Sequence, residues 1–499
     1  MRYAKVTLST CLSESHGPPW QSTSDNTGVH AARRFAPLAT GGCERCRLGQ
    51  AVDMRAPPCG RLRQVRDRRN VICNGLCFLR NHGWAVGKMR REIVLGSLAS
   101  LLIVGCGSSD PTTSATVERD SAGIVIVENH GPYDQWRIAA SPELRIGIVE
   151  GDSSYQFHRV QFAGRMTDGR IVVADAGSGQ IRWFSSAGAY RSTSGRKGGG
   201  PGEFGIIGDV LLTASDTLIV FDSRNRRATW FGPDERYVRE EPLREIPSGA
   251  VTLLRTLPTQ HLAVAVSSPT WDIAHADFNY TRDTLGVLLH RNDQIDTLAW
   301  LPGTESALWV MFSGGEPTRM QQFGMPFAHR SFAAGWNDRF ALVLGDRHEI
   351  EFRDWTGLLT RISRRPAVSD IPITDEDQRR YVAHALESAI SRGAPNPGAR
   401  EKAAEDQLRI VPAGHSMPSF EAVLADSEGY LWLRDFLPPW SAPSEHVWTV
   451  YRPDGHVECR VTLPSDLSVM HVGLQFVTGV VRDANDVEYV VVFRLERAQ

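Results

Sequence analysis

The sequence predicts an all-β chain, a six-bladed β-propeller with a small helical insertion, and three observations predict it. From Gly123 on, short apolar runs are cut by turn residues every eight to twelve positions, the spacing of a many-stranded architecture. Helical periodicity is confined to one stretch, 374–408. A longer repeat of about 45 residues overlies the strands, and repeats of that length with three or four strands each are how propeller blades are built.

The clearest copy is MTDGRIVVADAGSGQIRWFSSAGAYRSTSG, residues 166–195. Asp168-Gly169 opens a first strand, the turn 177–179 leads to a second, and Ala187-Gly188 turns into a third. TASDTLIVFDSRNRRATWFGPDERYVREEP, residues 213–242, repeats the plan about 48 positions later, with Asp216, Arg224-Asn225 and Pro233-Asp234 at the matching turns. Weaker copies pair 261–267 with 284–300, occupy 338–363, and open at 428–436 to resume at 446–463. A last one, 479–495, holds outer-type strands only. The apolar strands at 123–129 and 136–148 are expected to complete it, which closes the ring and removes the exposed edge. The propeller is expected over 117–499.

One segment departs from this rhythm. Thr374 followed by Asp375-Glu376-Asp377 reads as an N-cap with an acidic first turn. Tyr381, Ala385 and Ala389, and Val382, Leu386 and Ile390, then recur at helical spacing. Residues 393–398 end this helix and 400–408 form a second. Helices inserted there are expected to decorate one face of the ring.

GRKGGGPGEF, residues 195–204, raises the question of a phosphate-binding loop. A P-loop needs its Lys and a Ser or Thr directly after the glycines, between a strand and a helix. Here Lys197 precedes the glycines, Pro201 removes a backbone donor, and a strand entry follows. The segment therefore reads as a joint between blades. It resembles the linker of bacterial NHL-like propellers, with the pattern G-x-G-G-G-P-G-E-F slightly altered, and the spacings of Asp175, Ile181 and Phe184 and of Asp222, Asn225 and Phe231 are similar to NHL blades. The resemblance, close over 168–239 and architectural beyond it, implies a six-bladed NHL-like or TolB-like propeller. Asp175, Asp222 and Asp426 stand at equivalent turns, where a carboxylate accepts backbone N–H groups; the other reading makes them ligands for a cation at the propeller axis.

The first 88 residues differ from the rest. They hold 14 Lys and Arg against 5 Asp and Glu, and six of the eight cysteines. Cys43–Cys46 and Cys73–Cys77 have zinc-like spacings, but no strand or helix period surrounds them. This stretch is expected to be a disordered or non-native extension that packs against nothing. MRREIVLGSLASLLIVGCGSS, residues 89–109, has the three-part plan of a secretory signal, and its apolar run of a dozen residues is shorter than the ~20 that span a bilayer. Ile103-Val104-Gly105-Cys106 resembles the bacterial lipobox, with Ile103 where Leu is commoner. The resemblance implies a signal peptide at 89–105, acylation of Cys106 and a true start at Met89. With no Asp at position 107, it also implies retention in the outer membrane. Residues 106–116, rich in Gly, Ser and Thr, read as a flexible tether.

Residues 89–499 carry 41 basic against 52 acidic side chains, a balance that argues against nucleic acid as a partner. Catalytic patterns are missing: there is no H-E-x-x-H, and Gly414-His415-Ser416-Met417-Pro418 begins like a nucleophile elbow but ends in Pro. His158, His275, His329 and His471 show no metal spacing. Trp183, Trp230, Trp355, Trp432 and Trp448 fall in or beside strands and read as packing residues. Phe436 and Trp440 differ, because they sit in the Pro-rich loop DFLPPWSAP, and they are the candidate ligand contacts.

These readings converge on a lipid-anchored cell-envelope protein that binds a protein, peptide or saccharide, with no resident cofactor. The alternative is a lactonase-like hydrolase with a divalent cation at the propeller axis. Convergent carboxylates and histidines at the axis favour the hydrolase; an apolar or Arg-lined channel favours the binder.

Overall fold

The computed structural model describes residues 116–497 apart from 258–260, 269–276, 292–293, 337, 369 and 442. The extension 1–88, the signal-like segment 89–105, Cys106 and His275 lie outside the described residues. Four strands precede the repeats: β1 Val117–Ser121, β2 Ile124–Glu128, β3 Asp134–Ile138 and β4 Leu144–Ile146.

The remaining strands fall into six antiparallel sets, each running outward from an inner strand. The first is β5 Val160–Arg165, β6 Ile171–Asp175, β7 Gln180–Phe184 and β8 Tyr190–Ser194; the second is β9 Ile207–Leu212, β10 Leu218–Asp222, β11 Arg227–Phe231 and β12 Tyr237–Pro242. The third holds β13 Ala250–Thr256, β14 Leu262–Ser268, β15 Asp277–Arg291, β16 Gln294–Ser313 and β17 Glu316–Gly324. The fourth is β18 Ser331–Gly335, β19 Arg339–Leu344, β20 Glu349–Asp354 and β21 Leu359–Arg364. The fifth is β22 Phe420–Ala425, β23 Leu431–Asp435, β24 Glu445–Tyr451 and β25 Val457–Pro464; the sixth is β26 Ser468–Gly473, β27 Phe476–Arg482 and β28 Glu488–Glu496. The inner strands β5, β9, β13, β18, β22 and β26 touch in that order, and β26 touches β5 again. The chain is an all-β propeller.

Side-chain alternation explains why the sets pack into a circle. In β6, Val172 and Ala174 pack against Leu218 and Val220 of the second set, while Ile171 and Val173 pack against Val480 and Val490 of the sixth. One strand thus contributes to two interfaces, as a period of two requires. Ile219 and Trp230 continue the ring onto Leu262 and Val264, and Trp432 and Trp448 join the fifth set to the sixth. Each fully buried aliphatic side chain contributes ~1.5–3 kcal/mol, so a set without its neighbours would lose most of its stabilisation. Trp183, Trp230, Trp432 and Trp448 are buried in these interfaces; Trp355 is only partly buried, packed against the cluster between the third and fourth sets.

The closure differs from expectation in two details. Strand β4 forms the outer edge of the sixth set through β28, with Ile146 opposite Val490 and Leu144 opposite Val492. The strand β2 does not join it. Instead β2 pairs in parallel with β21, extending the fourth set, while β3 lies between β25 and β28. The sixth set also has its own inner strand, β26, upstream of the 479–495 segment.

Residues 195–204 are a joint. Phe204 is fully buried between the first two sets, and Gly195, at φ +79°, passes so close that a Cβ would lie 2.6 Å from the Phe204 ring. Arg227 donates to the carbonyls of Gly199, Gly200 and Glu203 at 3.3, 2.6 and 2.7 Å. The carboxylate of Asp222 accepts the N–H groups of Gly205 and Ile206 at 2.8 and 3.1 Å, and those of Arg224 and Asn225 in its own turn. Asp175 accepts from Gly177 and Ser178, and Asp426 from Glu428, Tyr430 and the Trp432 indole.

Two structures rise from the face where the chain passes from set to set. The far halves of β15 and β16 run beyond the third set as a hairpin, and β17 pairs with β16, an extension that the sequence spacing does not announce. The helical insertion consists of α1 Asp375–Ser391 and α2 Pro397–Leu408. Thr374 caps α1, accepting the Asp377 N–H while the Asp377 carboxylate accepts that of Thr374, and Tyr381 reaches Gln407 of α2 at 2.9 Å. The α1 stripe is covered only in part: Ala389 is buried, but Ile390 is exposed. Ala403 of α2 and Ile410 pack on Phe278, Ala307 and Met325 of the extension.

Candidate functional site

Two places gather side chains with chemical potential, one at each end of the ring. At one end, the C-terminal halves of the inner strands and the turns that follow them enclose a channel of about 1730 Å³. Its wall mixes apolar side chains such as Phe162, Leu211 and Met470 with Arg165, Arg239, Asp209 and His471. The inner strands supply Phe162, Arg165, Asp209, Leu211, Met470 and His471, whereas Arg239 reaches the wall from the outer strand β12. The guanidinium of Arg239 lies 3.7 Å over the Trp230 ring and bonds Glu241 at 2.6 Å; that of Arg165 lies 5.3 Å from the Phe476 ring. Asp209 accepts the Leu253 N–H at 2.6 Å, yet burial pushes its carboxyl up to about 6. Burial also pushes His471 down to about 4, and its Nδ1 accepts the Arg165 N–H at 3.2 Å.

At the other end, the extension, the linker into the fourth set and the linker leaving α2 meet at Glu305, His329 and His415. Among the described residues these are the one group of three His, Cys, Asp or Glu whose ligand atoms lie within 4.8 Å of one another, and none of them lines the channel. Glu305 Oε2 is 3.2 Å from His415 Nε2, 3.6 Å from His329 Nδ1, and accepts the His329 N–H at 2.8 Å. The two imidazole rings stand 4.0 Å apart. On the far side of the carboxylate, the Tyr280 hydroxyl donates to Oε1 at 3.0 Å and an Arg282 nitrogen approaches to 3.8 Å. Burial opposes the charge on Glu305, but the hydrogen bonds from His329 and His415 hold its carboxyl well below the ordinary range. Burial likewise opposes a charge on His415, and the Glu305 carboxylate overcomes it, raising the imidazole above its usual value. The Tyr280 phenol is pushed up to about 12, first by burial and then by the adjacent carboxylate.

The candidate ligand contacts of the sequence lie at this second end. Phe436 and Trp440 are half-buried; the Trp440 ring meets Phe327 edge-on at 6.0 Å, and its short helical turn touches α1. Phe327 in turn gives its carbonyl to His415 Nε2 at 2.9 Å, so Trp440 lies one residue removed from the histidine cluster. The sequence could not disclose that cluster. Glu305 and His329 are 24 positions apart and His415 follows 86 later; the first lies in strand β16, the second in the linker into the fourth set and the third in the linker leaving α2. Among the other histidines, His158 is exposed and His471 belongs to the channel.

Among the described residues no helix is long and apolar enough to cross a membrane. No family model matches the chain, and no curated protein matches it. Solved structures do resemble it. A member of the DUF4221 family from Bacteroides vulgatus is 8% identical with a TM-score of 0.40, covering 74% of this chain and 100% of its own. Virginiamycin B lyase from Staphylococcus aureus is 9% identical with a TM-score of 0.32, over 71% of this chain and 99% of the lyase. The calcium-binding regucalcin from Agrobacterium tumefaciens is 8% identical with a TM-score of 0.33, over 74% and 98%. At such identities the likeness extends to architecture alone, and the chemistry of this chain rests on its own residues.

Proposed function

We propose that this chain is a binding protein of the bacterial cell envelope, a six-bladed propeller of the NHL-like or TolB-like kind, anchored through an acylated Cys106. Its ligand is a segment of a protein, a peptide or a saccharide, held in the channel between the inner strands. The observation that carries this reading is the channel itself. At about 1730 Å³ it exceeds the ~300–1,000 Å³ usual for small-molecule sites, and it pairs apolar wall with the cations Arg165 and Arg239 set on aromatic faces. Such a wall suits a length of polymer with polar groups along it. The three-ligand set that an axial hydrolytic cation calls for is found on the other face of the ring. Phe436 and Trp440 are proposed as secondary contacts for a ligand that extends across that other face.

The test is calorimetric titration of the purified chain with envelope-derived oligosaccharides and peptides. The double substitution Arg165→Glu, Arg239→Glu is expected to weaken the ligand found at least tenfold, with Trp440→Ala costing less. Binding that is indifferent to the channel pair would overturn the reading. Mass spectrometry of the native N-terminus tests the anchor separately: an acylated Cys106 is expected first in the mature chain.

A further inference from the structure

We propose that Glu305, His329 and His415 bind a divalent transition-metal ion, zinc being the natural probe. The site lies at the opposite end of the ring from the channel and stands independently of the binding function assigned there.

The donor set is two imidazoles and one carboxylate, the combination that suits zinc and its first-row neighbours rather than calcium or magnesium. The spacing fits. Zinc bonds of ~2.0–2.1 Å in a tetrahedron place neighbouring ligand atoms roughly 3.3–3.4 Å apart. Glu305 Oε2 stands 3.2 Å from His415 Nε2 and 3.6 Å from His329 Nδ1, which brackets that value, and all three ligand atoms lie within 4.8 Å of one another.

The surroundings match what such ligands need. A metal-bound imidazole uses its other nitrogen as a donor to a carbonyl or carboxylate, which fixes its tautomer. His329 does so: with Nδ1 toward Glu305, its Nε2 lies 3.0 Å from the Ser416 carbonyl. A ligating carboxylate is itself hydrogen-bonded, and Tyr280 occupies Glu305 Oε1 at 3.0 Å while Oε2 faces the histidines. His415 Nε2 also lies 2.9 Å from the Phe327 carbonyl, a contact it gives up on ligating the ion.

The three ligands come from different segments: the third-set extension, the entry to the fourth set and the exit from the helical insertion. An ion there would tie all three to one point. Its first consequence is therefore mechanical, a tighter attachment of the insertion and extension to the ring.

The experiment uses the full chain, freed of metal by a chelator and with accessible cysteines alkylated so that thiolates do not compete. Zinc is titrated against a chromophoric chelator, melting is recorded with and without zinc, and the zinc X-ray absorption edge is measured on the loaded protein. We expect one equivalent bound, a raised melting temperature, and a first shell of nitrogen and oxygen with two imidazoles. His329→Gln and His415→Gln should each weaken binding at least tenfold, and Tyr280→Phe by about tenfold through the carboxylate it positions. Absence of stoichiometric binding by the folded wild type overturns the proposal. So does undiminished binding in the folded variants, or a shell without imidazole, and this last readout stands even where a variant does not fold.

Discussion

Replacing Phe204 by Ala tests whether the glycine-rich segment is a joint. The ring is fully buried, flanked by the Gly195 backbone and 6.2 Å from the Phe231 ring. Truncating a buried Phe costs ~3–5 kcal/mol, the amount depending on how far the site can collapse. Collapse is restricted here, because Arg227 and Asp222 fix the linker backbone on both sides of the ring. The loss should therefore fall in the upper half of that range, about 4 kcal/mol. Equilibrium urea denaturation followed by tryptophan fluorescence measures it. Lys197→Ala is the partner experiment: its side chain is exposed, so the change should stay within about 0.5 kcal/mol. A phosphate-cradling loop makes the opposite forecast, with Lys197 decisive and phosphate stabilising. A Phe204→Ala loss below about 1 kcal/mol, or stabilisation by phosphate that Lys197→Ala abolishes, would refute the reasoning.

Other consequences follow from single contacts. Asp209 is held up to about 6, so it is protonated in both folded and unfolded chains in acid and costs stability as pH rises from about 4 through 6. Asp209→Asn keeps an acceptor for the Leu253 N–H and removes that cost; it should stabilise the protein at pH 8 by about 1 kcal/mol, channel water moderating the effect, and by nothing at pH 3.5. Thr374→Ala deletes the cap of α1 and should cost ~1 kcal/mol, read as faster amide exchange confined to 375–391. Propeller strands should keep their protection in that variant.

What the sequence makes legible is whatever is local. The turns at Asp168-Gly169 and Asp216, the carboxylates of Asp175, Asp222 and Asp426 in their own turns, and the N-cap Thr374 are all specified within a few residues, and all are found where their spacing puts them. Partner choice is less legible. Ile124–Glu128 reads as a strand, but nothing in its alternation distinguishes the edge of β21, some 235 residues away, from the outer edge of the sixth set. Leu144–Ile146, only three residues long, took the closing edge. The histidine cluster is the extreme case: its geometry exists only once three separate segments of the chain are brought together, so no periodicity or motif could point to it. The upward run of β15 and β16 escaped for a related reason, since a long twisted hairpin and two short strands share the same alternation.

Closure of the ring is the claim beneath all of this, and a cross-link across the seam tests it most directly. Leu144 of β4 and Val492 of β28 are directly opposed although 348 residues apart in the chain, and opposed residues of antiparallel strands have Cα atoms ~4.5–5.5 Å apart, inside the ~4.4–6.8 Å that a disulfide spans. In the double variant Leu144→Cys, Val492→Cys, oxidised in the folded state, peptide mapping by mass spectrometry should find the two new cysteines joined to each other in nearly every molecule. Two free thiols in a folded chain, or linkage of either one only to other cysteines, would contradict a ring closed by β4 on β28.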